Sequence, residues 1–161
     1  MEHLRLHRAP HRAASEIPVM DGIGLRRGRA HEACGPGRHA FALWAAARTQ
    51  GPIVWIRPSW QTEHMNPDGM CAQVDPGRVI FVACGRAEDL LWCLEESLRS
   101  GAAALAMAEL PVPPPLTPVR RLHLAAEAGA ATGPAPTGLL LLPGEGGGCR
   151  RREPLARRPR P

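Results

Sequence analysis

The sequence predicts an α/β protein with a mainly parallel sheet flanked by helices. Three observations carry this. Short apolar segments alternate with stretches of helical periodicity along most of the chain. Several strand segments, Ile53-Val54-Trp55-Ile56 and Leu139 to Leu142 among them, are apolar throughout, as strands covered on both faces must be. A glycine-rich turn, Gly35 to Arg38, joins the first of these strands to the first helix.

The elements follow in order. Residues 1–20 read as an irregular, basic N-terminal arm, and residues 21–143 as the folded domain. The first strand spans 29–34, and after the turn a helix runs to about Arg48, with Phe41, Trp44 and Ala45 sharing a face. Gly51-Pro52 leads into the strand at 53–56. Residues 58–77 hold Pro58, Asn66-Pro67-Asp68-Gly69 and Pro76, and read as loop with at most a short helix. A strand at 78–83 precedes a helix from Ala87 to Arg99. Its first turn places Glu88 and Asp89 at the positive end of the helix dipole, and Leu90, Leu91, Leu94 and Leu98 form its buried stripe. A strand at 103–108 meets the stiff Pro111–Pro115 link. Thr117-Pro118 then reads as an N-cap and first helical residue, with Val119, Leu122 and Ala126 inward and Arg120, His123 and Glu127 outward. Gly138 to Pro143 is the last strand, and residues 144–161 are expected to be a disordered Gly/Arg/Pro tail. Trp44, Trp55 and Trp92 are expected in the core and Glu95, Glu96 and Glu127 on solvated faces. Trp60, in a polar loop, is the expected exposed aromatic contact.

Composition narrows the function classes. A chain of 161 residues suits one domain with a substantial core. It has no apolar run near the roughly 18 residues of a membrane span, and no apolar stretch follows the N-terminal arginines as in a secretory signal. Five cysteines without a C-x-x-C pair fit a reducing cytoplasm rather than a disulfide framework or zinc site. His3, His7 and His11 are four apart, but Pro10 interrupts them and nothing completes a metal set. The chain has no lysine. Its net charge of +5 divides into +3 over residues 1–29, −3 over 30–149 and +5 over 150–161. The body is therefore mildly acidic. Arg150, Arg151, Arg152, Arg157, Arg158 and Arg160 form a tail suited to nonspecific nucleic-acid contact, without the interleaved aromatics of a base-stacking surface.

The segment Gly28 to Leu43 has the strand–turn–helix layout of a phosphate-binding loop. That loop reads G-x-x-x-x-G-K-[ST]: backbone N–H groups cradle phosphates, the Lys neutralises them and the hydroxyl holds Mg²⁺. Here the turn is Gly35-Pro36-Gly37-Arg38-His39, and Ala40, Phe41 and Ala42 stand at the second Gly, the Lys and the Ser/Thr. Charge-assisted hydrogen bonds contribute about 1.5–3 kcal/mol each, so losing two costs about 3–6 kcal/mol. Nucleotide affinity then falls by roughly 10²- to 10⁴-fold. Phe41 is the expected plug of the former pocket, with Arg38 and His39 left as the alternative, a weak anion site at the helix N-terminus.

Residues 21–32, leading into the turn, resemble the same segment of RecA-type recombinases. Leu98-Arg99-Ser100-Gly101-Ala102 resembles the end of the helix before the RecA Walker B strand, which puts the family's metal-orienting acid on Glu109. Gly28-Arg29-Ala30-His31-Glu32, Phe41-Ala42-Leu43-Trp44 and Arg120-Arg121-Leu122-His123-Leu124-Ala125-Ala126-Glu127 resemble the ImuA-like family across residues 21–143. That resemblance implies a RecA-like fold and a non-catalytic accessory role in damage-induced (SOS) translesion synthesis, without a cofactor. The implied partners are RecA, an ImuB-like Y-family subunit and, indirectly, a DnaE-type polymerase. Trp60, Arg120 and His123 are the expected contacts. The family's catalytic acid falls near Arg57-Pro58-Ser59-Trp60, where there is no carboxylate, and its later strands have no counterpart beyond Pro143. The domain is thus expected to be C-terminally incomplete. Two alternatives share the fold: a division inhibitor resembling SulA, which binds the tubulin-like division protein, and a residual RecA-type DNA-dependent ATPase.

Overall fold

The computed structural model describes residues 15–62 and 65–144. The chain opens with an antiparallel hairpin, β1 (Glu16–Met20) and β2 (Ile23–Arg26). A five-stranded parallel sheet follows, made of β3 (Ala30–Cys34), β4 (Ile53–Pro58), β5 (Val79–Cys84), β6 (Leu105–Glu109) and β7 (Thr137–Leu142) in the order β3-β7-β6-β4-β5. The helices are α1 (Arg38–Ala47), the short α2 (Pro67–Cys71), α3 (Ala87–Ser100) and α4 (Leu116–Gly129). The predicted fold class is the observed one.

The strand order explains the patterning. β6 and β7 lie inside the sheet and are buried along almost their whole length, which is why Ala106, Met107 and Ala108 or Leu139 to Leu142 show no alternation. One face of the sheet packs on α1, α2 and the hairpin, where Ala42, Ala45, Trp55, Met70, Ile17 and Leu25 belong to one core cluster. The other face packs on α3 and α4 through Leu90, Leu94, Leu98, Leu122 and Ala126.

α3 and α4 are held together at their C-terminal ends by glycine. Gly101 closes α3 in the left-handed region at φ 67°, where a side chain is strained. Gly129 ends α4 so close to α3 that a Cβ there would overlap the Leu98 carbonyl oxygen. The two helices also share an ion pair. Glu95, expected on a solvated face, is buried, with Arg99 on its own helix and Arg121 of α4 both reaching its carboxylate; the Arg121 contact is 2.7 Å.

Other expectations also change. The arm is not irregular to residue 20: β1 begins at Glu16, because Ile17 and Val19 alternate inward onto α1. The buried face of α1 is Ala42, Ala45 and Ala46 rather than Phe41, Trp44 and Ala45. Small side chains let the helix lie close to the sheet, and the two aromatics are left at its rim. Trp44 and Trp92 are exposed, and only Trp55 of the three is core. α4 starts at Leu116 with Pro115 in the capping position, so Thr117 is inside the helix and caps nothing. The arm before residue 15 with its three histidines, and the arginine tail, lie outside the described residues.

Candidate functional site

The turn after β3 and the ends of β4 and β6 meet at the carboxyl edge of the sheet. Between β6 and β4 the order in which strands are added to the sheet reverses. The connection leaving β4 crosses one face, that leaving β6 crosses the other, and ligand crevices in open α/β sheets form at such a reversal. A cleft of about 210 Å³ lies there, lined by Arg38, Trp60, Glu109 and Pro58, with Leu141 and Pro143. Three residues singled out by the sequence for separate reasons, Arg38, Glu109 and Trp60, thus line one cleft.

Its chemistry centres on Glu109, the last residue of β6. The side chain points to the α1 face, where the Trp55 indole N–H donates to Oε1 at 2.7 Å and His39 Nε2 lies 3.5 Å from Oε2. The His39 ring stacks over Trp55 with centroids 6.3 Å apart, and the Phe81 ring lies 6.2 Å from Trp55 on the neighbouring strand. Burial alone would raise the Glu109 carboxyl. Hydrogen bonds from His39 and Trp55, with the nearby charges of His39 and Arg38, outweigh it and hold the group below the usual carboxylate range. Arg38 is committed as well, donating to the Gly35 carbonyl at 3.0 Å.

The residues present do not fit a magnesium nucleotide. Phe41 and Ala42 stand where a lysine and a hydroxyl are needed, and the acid that would orient the metal's water is tied to two side chains of its own chain. The plug, however, is not Phe41. That ring packs partly buried against the core and, with Ile23, Trp44, Gly37 and Arg38, lines a separate groove. His39 and Trp55 cover Glu109 instead. Sequence patterning missed this trio, which joins residues 54 apart. Its one visible signal is an acid ending an apolar strand beside a strand that carries a buried tryptophan.

The expected α4 contacts lie elsewhere, on the helix face beside β3. His123 is half-buried, and its Nδ1 accepts the Ala30 N–H at 3.3 Å, capping the sheet edge. Burial first, then the charges of Arg29 and His31, push its pKa below the ordinary histidine value, against the opposing Glu127. Arg29 pairs with Glu127. His31, on β3, donates its Nε2–H to the Arg26 carbonyl at 2.9 Å, a structural bond at that edge. Arg120 is exposed. Trp60 is exposed too, but it lines the cleft rather than this face. The structure therefore divides the expected contacts between two surfaces.

No group of three or more metal-ligating side chains occurs among the described residues, and none of their helices is long and apolar enough to cross a membrane. No protein-family model and no curated protein matches the chain. Among solved structures, the chain is similar to SulA from Pseudomonas aeruginosa, with 16% identity, a TM-score of 0.53, and coverage of 71% of this chain and 98% of that one. At that identity the likeness speaks for the fold, and the two chains share an α/β architecture.

Proposed function

We propose that this chain is a non-catalytic, RecA-like accessory protein of damage-induced translesion DNA synthesis, and that it acts by binding proteins. The observation that carries the reading is the state of Glu109. The acid at the position of the RecA-type metal-orienting residue is engaged by His39 and Trp55, beside a turn without lysine or hydroxyl. A frame of this kind keeps a recombinase-like shape without an ATP-driven switch. The ImuA-like blocks around Gly28 and Arg120 direct it to RecA and an ImuB-like subunit, with a DnaE-type polymerase reached through them.

A division-inhibitor role is the second reading, favoured by the likeness to SulA in overall fold. Binding of the purified full chain to RecA, to the ImuB-like subunit and to the tubulin-like division protein, each immobilised separately, separates the two. The proposal expects saturable binding to the first two and none to the third. Binding to the division protein alone moves the chain to the inhibitor reading.

A further inference from the structure

One face of α4 carries Leu116, Arg120 and Leu124 at four-residue spacing, all exposed, the two leucines to 73% and 64%. Residues four apart on a helix stand one above the other, so this is a single stripe, apolar–cation–apolar, about 12 Å long. A hollow of about 430 Å³ runs beside it, floored by His123 and walled by Arg29 and Glu127. The charges around it are already balanced. Arg29 pairs with Glu127, Arg99 with Glu95 and Glu96, and Arg121 with Glu95, whereas Arg120 has no carboxylate partner among the described residues.

We propose that this stripe docks an acidic amphipathic helix of a partner protein, with two apolar side chains seated against Leu116 and Leu124 and a carboxylate between them paired with Arg120. The charge argument selects the occupant. The chain's own termini are both basic and would bring arginine to arginine, so neither complements the stripe. A partner carboxylate gains a guanidinium that no internal acid competes for, and exposed leucines on either side exclude water from the pair. The inference rests on the protein-binding reading and names the segment that such a partner presents.

The test uses a fluorescein-labelled helical peptide with leucines about two turns apart and glutamates between them, titrated against the full chain by fluorescence anisotropy. Binding that weakens about tenfold or more in R120E and in L124S is expected, with near-ultraviolet circular dichroism unchanged, since both side chains are exposed. The same affinity in all three proteins, or no binding up to about 1 mM, overturns the proposal. So does a single-stranded DNA probe whose binding, rather than the peptide's, is lost in R120E. RecA binding in parallel separates this from the broader reading. Peptide binding without RecA binding keeps the stripe and removes that partner, while RecA binding undiminished in R120E and L124S keeps the partner and removes the stripe.

Discussion

At the residue scale, two titrating side chains tie stability to pH. Glu109 is held below its ordinary range in the fold, so its contribution is present above the unfolded carboxylate value of 4.5 and is lost as pH falls through the lower folded value. E109Q lacks that dependence, and the gap between wild type and E109Q in chemical denaturation should close as the pH drops below about 4.5. E109A should be worse than E109Q by about 1–3 kcal/mol at neutral pH, because it leaves the buried Trp55 N–H without an acceptor. His123 behaves in the same sense. Its neutral ring accepts the Ala30 N–H, and its folded pKa lies below 6.5, so the unfolded chain takes up the proton first as pH falls. Wild type should lose stability as pH falls from 6.5, and H123Q should show a flatter profile over the same range. Neither role was legible in the chain: an acid or imidazole on a strand end or helix face shows its residue type, but its partner lies 54 or 93 positions away.

At the scale of elements, periodicity was read correctly where one face is simply apolar and incorrectly where size or charge decides the packing. The stripe of α3 was legible as Leu90, Leu94 and Leu98. Glu95 lies among these positions, four residues after Leu91 and three before Leu98, so the helix repeat itself put it near the buried side. Its charge argued for solvent, and only the arrival of Arg121 from α4 makes burial tolerable. E95A should destabilise by about 1–3 kcal/mol, read as a shift in urea midpoint, because two guanidiniums lose a shared acceptor. In α1 the aromatics misled, since hydrophobicity ranks Phe41 and Trp44 above alanine while the fully buried positions of the helix are Ala42, Ala45 and Ala46. The α3–α4 junction is equally specific. G129A should cost about 1–3 kcal/mol or more, as the added methyl meets the Leu98 carbonyl and must part the two helices.

For the whole molecule, the parallel sheet was legible because uninterrupted apolar strands have few other uses. The strand order β3-β7-β6-β4-β5 was not, since it depends on which connection crosses which face. That order is what brings Arg38, Trp60 and Glu109 to one cleft and sets His123 and Arg120 on a separate surface. The site was therefore visible as parts and not as an arrangement. Its physical consequence is a carboxylate whose polar contacts are supplied from within the chain, beside a turn that carries neither lysine nor hydroxyl, which we propose leaves no site for a triphosphate.

The most direct test of that claim is calorimetric titration of the full chain with magnesium ATP, followed by phosphate release with and without single-stranded DNA. The account predicts no saturable binding below about 1 mM and no turnover in either condition. Micromolar binding with DNA-stimulated phosphate release would contradict it.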